Sequence, residues 1–306
     1  LSPFETYYEE KRPFFVEGAQ FFFHPNFPVF YSRRIGTGSE NSRIRFAGKL
    51  TGKTAGDIST AVLVAATDET GAGQSHNPFA DGHGKTWYAI GRFGRQFGGG
   101  AHQVGLMQTA VIRDADSFGG PSRNGYVTGG DFKLRFRDRR YEASGSFVAS
   151  IVDGQEWDGV DPDASHGLGW RAELKKTGGD WTGALTARLQ SDKLDLNDMG
   201  YLNDPDHYAV QAWVDHSYND DGGENLINEV DVNLRWYRSW IYAARDFADP
   251  VAPEETLWSY DRGPDLRHNP NFEIYAGLRT HWGFWTGLSA SPDGAGLFGT
   301  LWRPDR

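Results

Sequence analysis

From Ser42 onward, apolar and polar residues alternate in segments of about ten, the length that a tilted membrane strand needs. Over 126–137 one face would carry Tyr126, Thr128, Gly130, Phe132, Leu134 and Phe136, and the other Val127, Gly129, Asp131, Lys133, Arg135 and Arg137. Over 141–151, Tyr141, Phe147 and Ile151 oppose Glu142, Ser144, Ser146 and Ser150. Leu168, Trp170, Ala172 and Leu174 oppose Arg171, Glu173 and Lys175. Trp181, Leu185 and Leu189 then oppose Thr182, Thr186 and Arg188, and Val230, Val232, Leu234 and Trp236 oppose Glu229, Asp231, Asn233 and Arg235. A period of two predicts strands, and a helical period fits none of these segments.

The connections carry a second pattern. Short Gly-rich or charged turns at 52–56, 98–101, 138–140 and 177–180 alternate with long polar loops at 67–86, 113–125, 152–166 and 191–206. Up-and-down barrels of the outer-membrane type have this asymmetry, with tight turns at one end and longer loops at the other. The alternation breaks after residue 206, where segments 208–218 and 227–237 share a medium loop and Arg238-Ser239 reads as a tight turn into a strand at 240–247. Segments 272–280, 284–291 and 295–302 follow, giving about 14 strands with imperfect closure expected. The fold class expected is all-β, an up-and-down antiparallel transmembrane β-barrel over 42–306. Residues 1–41 are expected to form an extended aromatic-rich lead-in or plug, because the prolines at 13, 25 and 28 exclude a long helix.

On such a barrel Phe132, Leu134, Phe136, Phe147, Trp170 and Leu185 would face lipid. The candidate lumen-facing set is Lys133, Arg135, Arg137, Arg171, Glu173, Lys175, Arg188, Asp231 and Arg235. Trp87, Tyr126, Tyr141, Trp181, Tyr208, Trp236 and Trp240 fall near strand ends, as interfacial girdles would, although β propensity also enriches aromatics in strands.

Composition narrows the picture. No apolar run approaches the roughly 18 residues of a spanning helix, and the mean hydropathy of -0.59 resembles that of a soluble protein. A barrel escapes that test because only alternate residues meet lipid. With 41 acidic and 31 basic residues the formal charge is -10, which argues against nucleic acid as a partner. The absence of cysteine removes disulfides, thiolate metal sites and Cys nucleophiles. The chain opens on Leu1 with no leader, so it reads as a piece of a longer protein.

Candidate chemistry is sparse. Residues 47–54, AGKLTGKT, fit a loose phosphate-binding loop, but the following ISTAVLVAA is strand-like where such a loop needs a helix amino end. The nine histidines show no metalloprotease spacing, and no serine-hydrolase elbow occurs. Acidic stretches 153–163 and 197–206 could offer calcium oxygens without the spacing of a twelve-residue calcium loop. No catalytic residue, metal site or cofactor is identified.

The most specific stretch is residues 9–36, EEKRPFFVEGAQFFFHPNFPVFYSRRIG. Within it Lys11, Arg12, Pro13, Phe14, Phe15, Glu17 and Gly18, then Tyr31, Ser32, Arg33, Arg34 and Gly36, resemble the opening of a barrel domain family known as domain of unknown function 5916. Phe4-Glu5, Gly48 to Lys53, Asn197 to Leu202 and Arg262-Gly263-Pro264 are further points of similarity. The resemblance implies the outer membrane of a Gram-negative bacterium, outer-membrane lipids as partners, and saccharides reached through the family-9-like carbohydrate-binding domain that usually precedes this one. It brings no settled activity. The expected function is a porin-like or anchoring role. The alternatives are a carbohydrate-binding or carbohydrate-processing protein using the polar face, and a soluble β-sandwich whose charged face meets solvent.

Overall fold

The computed structural model describes residues 7–36, 43–68, 85–114, 123–154, 165–202, 206–220, 227–242, 267–268, 271–278, 283–291 and 294–302. The alternating segments form β1 (Ile44–Lys53), β2 (Ile58–Thr67), β3 (Thr86–Phe97), β4 (His102–Arg113), β5 (Arg123–Phe136), β6 (Tyr141–Gly154), β7 (Ser165–Lys176), β8 (Trp181–Gln190), β9 (His207–Asn219) and β10 (Ile227–Ile241). Shorter strands follow: β11 (Arg267–His268), β12 (Asn271–Leu278), β13 (Gly283–Ser291) and β14 (Gly294–Trp302). Each of β1 to β10 pairs with the next in one antiparallel up-and-down sheet, which continues through β12, β13 and β14, with β11 beside β10. The order is open, since β1 and β14 are not paired with each other among the described residues.

The expected series of about 14 like strands therefore gives way to ten, with shorter segments after them. The difference begins at 238–239. Instead of turning there, β10 continues to Ile241, with Arg238 opposite Val210 and Ser239 opposite Ala209. Arg-Ser supplies none of the positive-φ residues that a two-residue hairpin requires. The continued pairing also lets Tyr208 stack on Trp240, with ring centroids 5.4 Å apart. Residues 243–247 of the expected extra strand lie outside the described residues, as do most of the acidic stretch 153–163 and the Arg262 to Pro264 motif.

The tight turns are built by left-handed backbone. Gly98, Gly99 and Gly100 turn β3 into β4 at φ of 62°, 61° and 79°. Arg137, Asp138 and Arg139 do the same between β5 and β6 without glycine. Arg137, expected on the polar strand face, is thus a turn residue, exposed and 6.0 Å from the Tyr141 ring. Residues 54–57 connect β1 to β2, and the Lys53 ammonium pairs with Asp57 at 3.0 Å and donates to Gln96 at 3.1 Å. The phosphate-loop reading fails here, because a strand follows the turn and offers no helix amino end.

The strands contribute to two compact units. One comprises residues 1–132, 146–170 and 190–205, the other 133–145, 171–189 and 206–306. In the first, the lead-in is not simply extended: Pro13–Val16 forms a one-turn helix, α1, and Ala19–Phe22 and Ser32–Arg34 form 3-10 turns. Its Phe15, Phe22, Phe27, Val29 and Ile35 join Leu63, Ile90, Met107, Val127 and Val148 of the strands in one buried cluster. The opposite face of the same strands carries Val62, Val64, Phe93, Leu106, Phe132 and Phe147, all exposed. In the second unit Leu134, Leu174, Leu185 and Val214 are exposed, whereas the polar residues that alternate with them, among them Lys133, Arg135, Arg171, Glu173 and Lys175, are half-buried. The pattern is that of a protein turned inside out.

Candidate functional site

Three separated segments meet in the first unit: residues 9–18, residues 28–36 and the loop at 191–202. The first two are joined through Arg12. Its guanidinium donates to Glu10 Oε2 at 2.7 Å, to the Ser32 carbonyl at 2.8 Å and to the Ile35 carbonyl at 2.7 Å, and it lies 4.3 Å from the Phe15 ring centroid. Ser32 Oγ donates to the same carboxylate at 2.7 Å, and the amides of Lys11 and Arg12 donate to Glu10 Oε1 at 2.9 Å. Burial works against the charge on Glu10, but Arg12 and Ser32 outweigh it and hold its carboxyl at about 2. A carboxyl depressed in this way stabilises the fold above its ordinary value of 4.5 and loses that contribution as pH falls towards about 2. The stability difference between the parent and Glu10→Gln should therefore be constant near neutrality and vanish between pH 4.5 and 2 in denaturant titrations. A difference independent of pH would refute the role given to the Glu10 charge.

Pro13 occupies the first turn of α1, where its missing N-H is no loss. Gly18 follows with φ of 69°, and Lys49 of β1 donates to the Phe14 and Glu17 carbonyls, so the helix end is tied to the first strand. Tyr31 bonds both ways to the Tyr8 backbone, at 2.9 and 3.0 Å, and Arg33 donates to the Glu9 carbonyl at 2.9 Å.

The loop is stitched to this segment through its main chain. Tyr31 N donates to the Met199 carbonyl at 2.7 Å and Tyr201 N to the Pro28 carbonyl at 2.9 Å, while Arg34 Nε donates to the Gly200 carbonyl at 3.0 Å. A side chain at 200 would collide with the carbonyl oxygens of Pro28 and Leu196. Neither oxygen is the end of a flexible side chain, so Gly200→Ala should destabilise by about 1–3 kcal/mol. An unchanged denaturation midpoint would show that the loop can move off the lead-in without loss.

On its other side the loop offers carboxylates to the strand ends. Asp198 pairs with Arg113 at 2.7 Å and Arg123 at 3.2 Å, and Asp195 pairs with Arg123 at 2.5 Å. Burial would raise the Asp198 carboxyl, but the two guanidiniums prevail and lower it. Asp198, from the stretch expected to offer calcium oxygens, is therefore spent on arginines. No group of three or more His, Cys, Asp or Glu is placed to hold a metal among the described residues.

Beneath the lead-in, Arg92 of β3 and Asp131 of β5 pair at 2.7 Å with both side chains buried. The pair reaches across the intervening β4 at Gly105, where a Cβ would strike both the Asp131 carboxylate and the Arg92 guanidinium.

The candidate lumen-facing residues lie in the second unit, where most of them meet partners. Arg135 bonds Glu142, and Arg171 bonds Glu173, each at 2.7 Å; Thr186 donates to Glu173 at 3.0 Å. Arg188 donates to the Tyr237 hydroxyl at 3.2 Å. Lys175 and Arg235 flank the Trp213 ring at 5.6 and 5.8 Å, and Arg235 also pairs with Asp215 at 3.3 Å. Lys133 and Asp231 are half-buried. The structure brings together the family-motif residues of the lead-in and, apart from them, this ion-paired wall. Alternation singled out the wall, but the Arg92–Asp131 pair and the arginine partners of the loop could be found only with the strand register known.

The lead-in motifs, the Gly48 to Lys53 stretch of β1 and the Asn197 to Leu202 loop are thus tied together through the lead-in. The family profile described as domain of unknown function (DUF5916) matches residues 1–259. The chain belongs to the DUF5916 family. No curated protein matches it. Within this DUF5916 chain the residues most characteristic of the resemblance carry hydrogen bonds between lead-in, strand and loop, which is a structural duty.

Proposed function

We propose that the chain is the membrane-spanning barrel domain of an outer-membrane protein, and that its role is to anchor, with the inward side of its first unit filled rather than open. The observation that carries the reading is the inversion of the two strand faces: large apolar side chains such as Leu106 and Leu185 are 57% and 55% exposed, while alternating charged residues are half-buried and ion-paired. A soluble sheet does the reverse, because uncovered apolar area of this extent is unfavourable by about 25 cal/mol per Å². Hydrocarbon removes that penalty, and the strands between β1 and β14 satisfy their backbone groups on their neighbours. No helix among the described residues is long and apolar enough to cross a membrane.

The filled state follows from the lead-in and the 191–202 loop, which bury the inward faces of Leu63, Ile90, Met107 and Val148. The domain would then hold whatever is attached to it at the membrane surface without conducting freely. Refolding from denaturant into detergent micelles or lipid vesicles tests the reading, with a matched reaction in buffer alone. Folding only where detergent or lipid is present supports it. A folded, monomeric protein in plain buffer overturns it.

A further inference from the structure

We propose that His24 is a proton-operated latch: docked and neutral, it holds the lead-in against β3, β5 and β6, and taking up a proton releases the lead-in. His24 is 5% exposed, and neither ring nitrogen makes a hydrogen bond. The ring packs over Gly129, where a Cβ would come within 3.1 Å of Nε2 and 3.4 Å of Val148 Cγ1, and its centroid lies 6.0 Å from that of Phe27. Gly129 leaves the strand bare where the imidazole lies. An apolar side chain would fill such a seat more stably than an imidazole with two unpaired nitrogens, which points to a use for the ring's chemistry.

The charged groups facing the ring are few. Asp131 on β5 favours its protonation, but that carboxylate is already bonded to Arg92 of β3, whose Nη1 is itself buried and unbonded and whose charge opposes a second cation. The neighbouring groups are the backbones of Gly130 and Phe27, which favour the proton weakly, and the apolar side chain of Val148. Burial dominates, so the docked ring is harder to protonate than a free one at 6.5. A base depressed on docking takes up its proton on release. Docking is therefore strongest above about 6.5 and weakens as pH falls below it, by at most about tenfold per pH unit. Glu10 at about 2 and the lowered Asp198 stay charged throughout pH 7.5–5.5, so the junctions they hold do not titrate in this window.

The latch belongs to the lead-in and the strands alone, while any effect on passage through the domain rests on the barrel reading. The experiment separates them. Because the chain has no cysteine, a single nitroxide on Phe23→Cys, an exposed position beside the latch, reports lead-in mobility in detergent. The mobile fraction should rise reversibly between pH 7.5 and 5.5 in the parent and stay flat in His24→Gln. Should that variant fail to fold, His24→Leu, which matches the Phe27 and Val148 surroundings, replaces it. A parent response that is flat with pH, or one that survives in both variants, overturns the latch. In vesicles the same pH step should raise ion flux in the parent only. Release in detergent without flux in inserted protein overturns the gating consequence, whereas failure to insert overturns the barrel reading and leaves the label result to judge the latch.

Discussion

Leu185→Arg should destabilise the membrane-inserted protein by about 2–4 kcal/mol, and Leu134→Arg by only about 0–1, because the penalty for a charge on the lipid face depends on depth. Leu185 is at the middle of β8, whereas Leu134 lies two residues from the turn end of β5. Both are exposed on the apolar face. A long cation near a strand end can reach the headgroups, and one at mid-strand cannot. Lys133→Gln, on the opposite face and half-buried, should leave folding nearly unchanged. Denaturant unfolding from lipid vesicles measures all three. A soluble sheet makes a different forecast: an arginine at a solvent-exposed position such as Leu185 would be neutral or helpful in plain buffer. Equal and small effects for both leucine variants, with a parent that needs no lipid, would sink the membrane reading.

The contrast between those two leucines depends on information that alternation alone does not hold. Period two separates Leu134 and Leu185 from Lys133 and Arg188 without any structure, since successive side chains of a strand must point to opposite faces. It does not say which face is covered. On β2, β3 and β4 both faces are apolar: Val62, Phe93 and Leu106 on one side, Leu63, Ile90 and Met107 on the other. The second set is buried because the lead-in lies against it, and that lead-in, with four prolines and no period, gives no sign of where it packs. The strand expected at 240–247 failed for a related reason. The end of β10 is decided by what β9 offers opposite Arg238 and Ser239, a register property that local turn propensity does not contain.

The motif residues show the same division. Glu10 and Arg12, two apart, make an ion pair that inspection could suggest, but Ser32 and the Ile35 carbonyl lie 20 or more residues away. Gly105 is harder still. In the sequence it is an unremarked glycine within a strand, which local rules would take as a weak point or a bulge. In the fold it is the bare patch over which Arg92 reaches Asp131. The Arg92–Asp131 connection is therefore hidden in one dimension, because it joins strands that are separated by a third.

That pair should give the largest single-site loss outside the lipid face. Asp131→Ala removes the carboxylate and leaves the Arg92 guanidinium buried with Nη1 already lacking a partner, and the expected destabilisation is about 3–5 kcal/mol. Most of that loss is the desolvation of an orphaned cation, so it should be recovered when the cation goes too. Arg92→Met combined with Asp131→Leu should fall near the parent, within about 1–2 kcal/mol on either side, because an apolar pair removes both charges from the buried site. Unfolding in detergent by denaturant, with the two single variants and the double variant, completes the cycle. An additive double variant would show that Arg92 and Asp131 act independently and that the 2.7 Å contact contributes little coupling. A loss below about 1 kcal/mol for Asp131→Ala would mean that water reaches Arg92 beneath the lead-in, and the seat beside His24 would then be wet rather than dry.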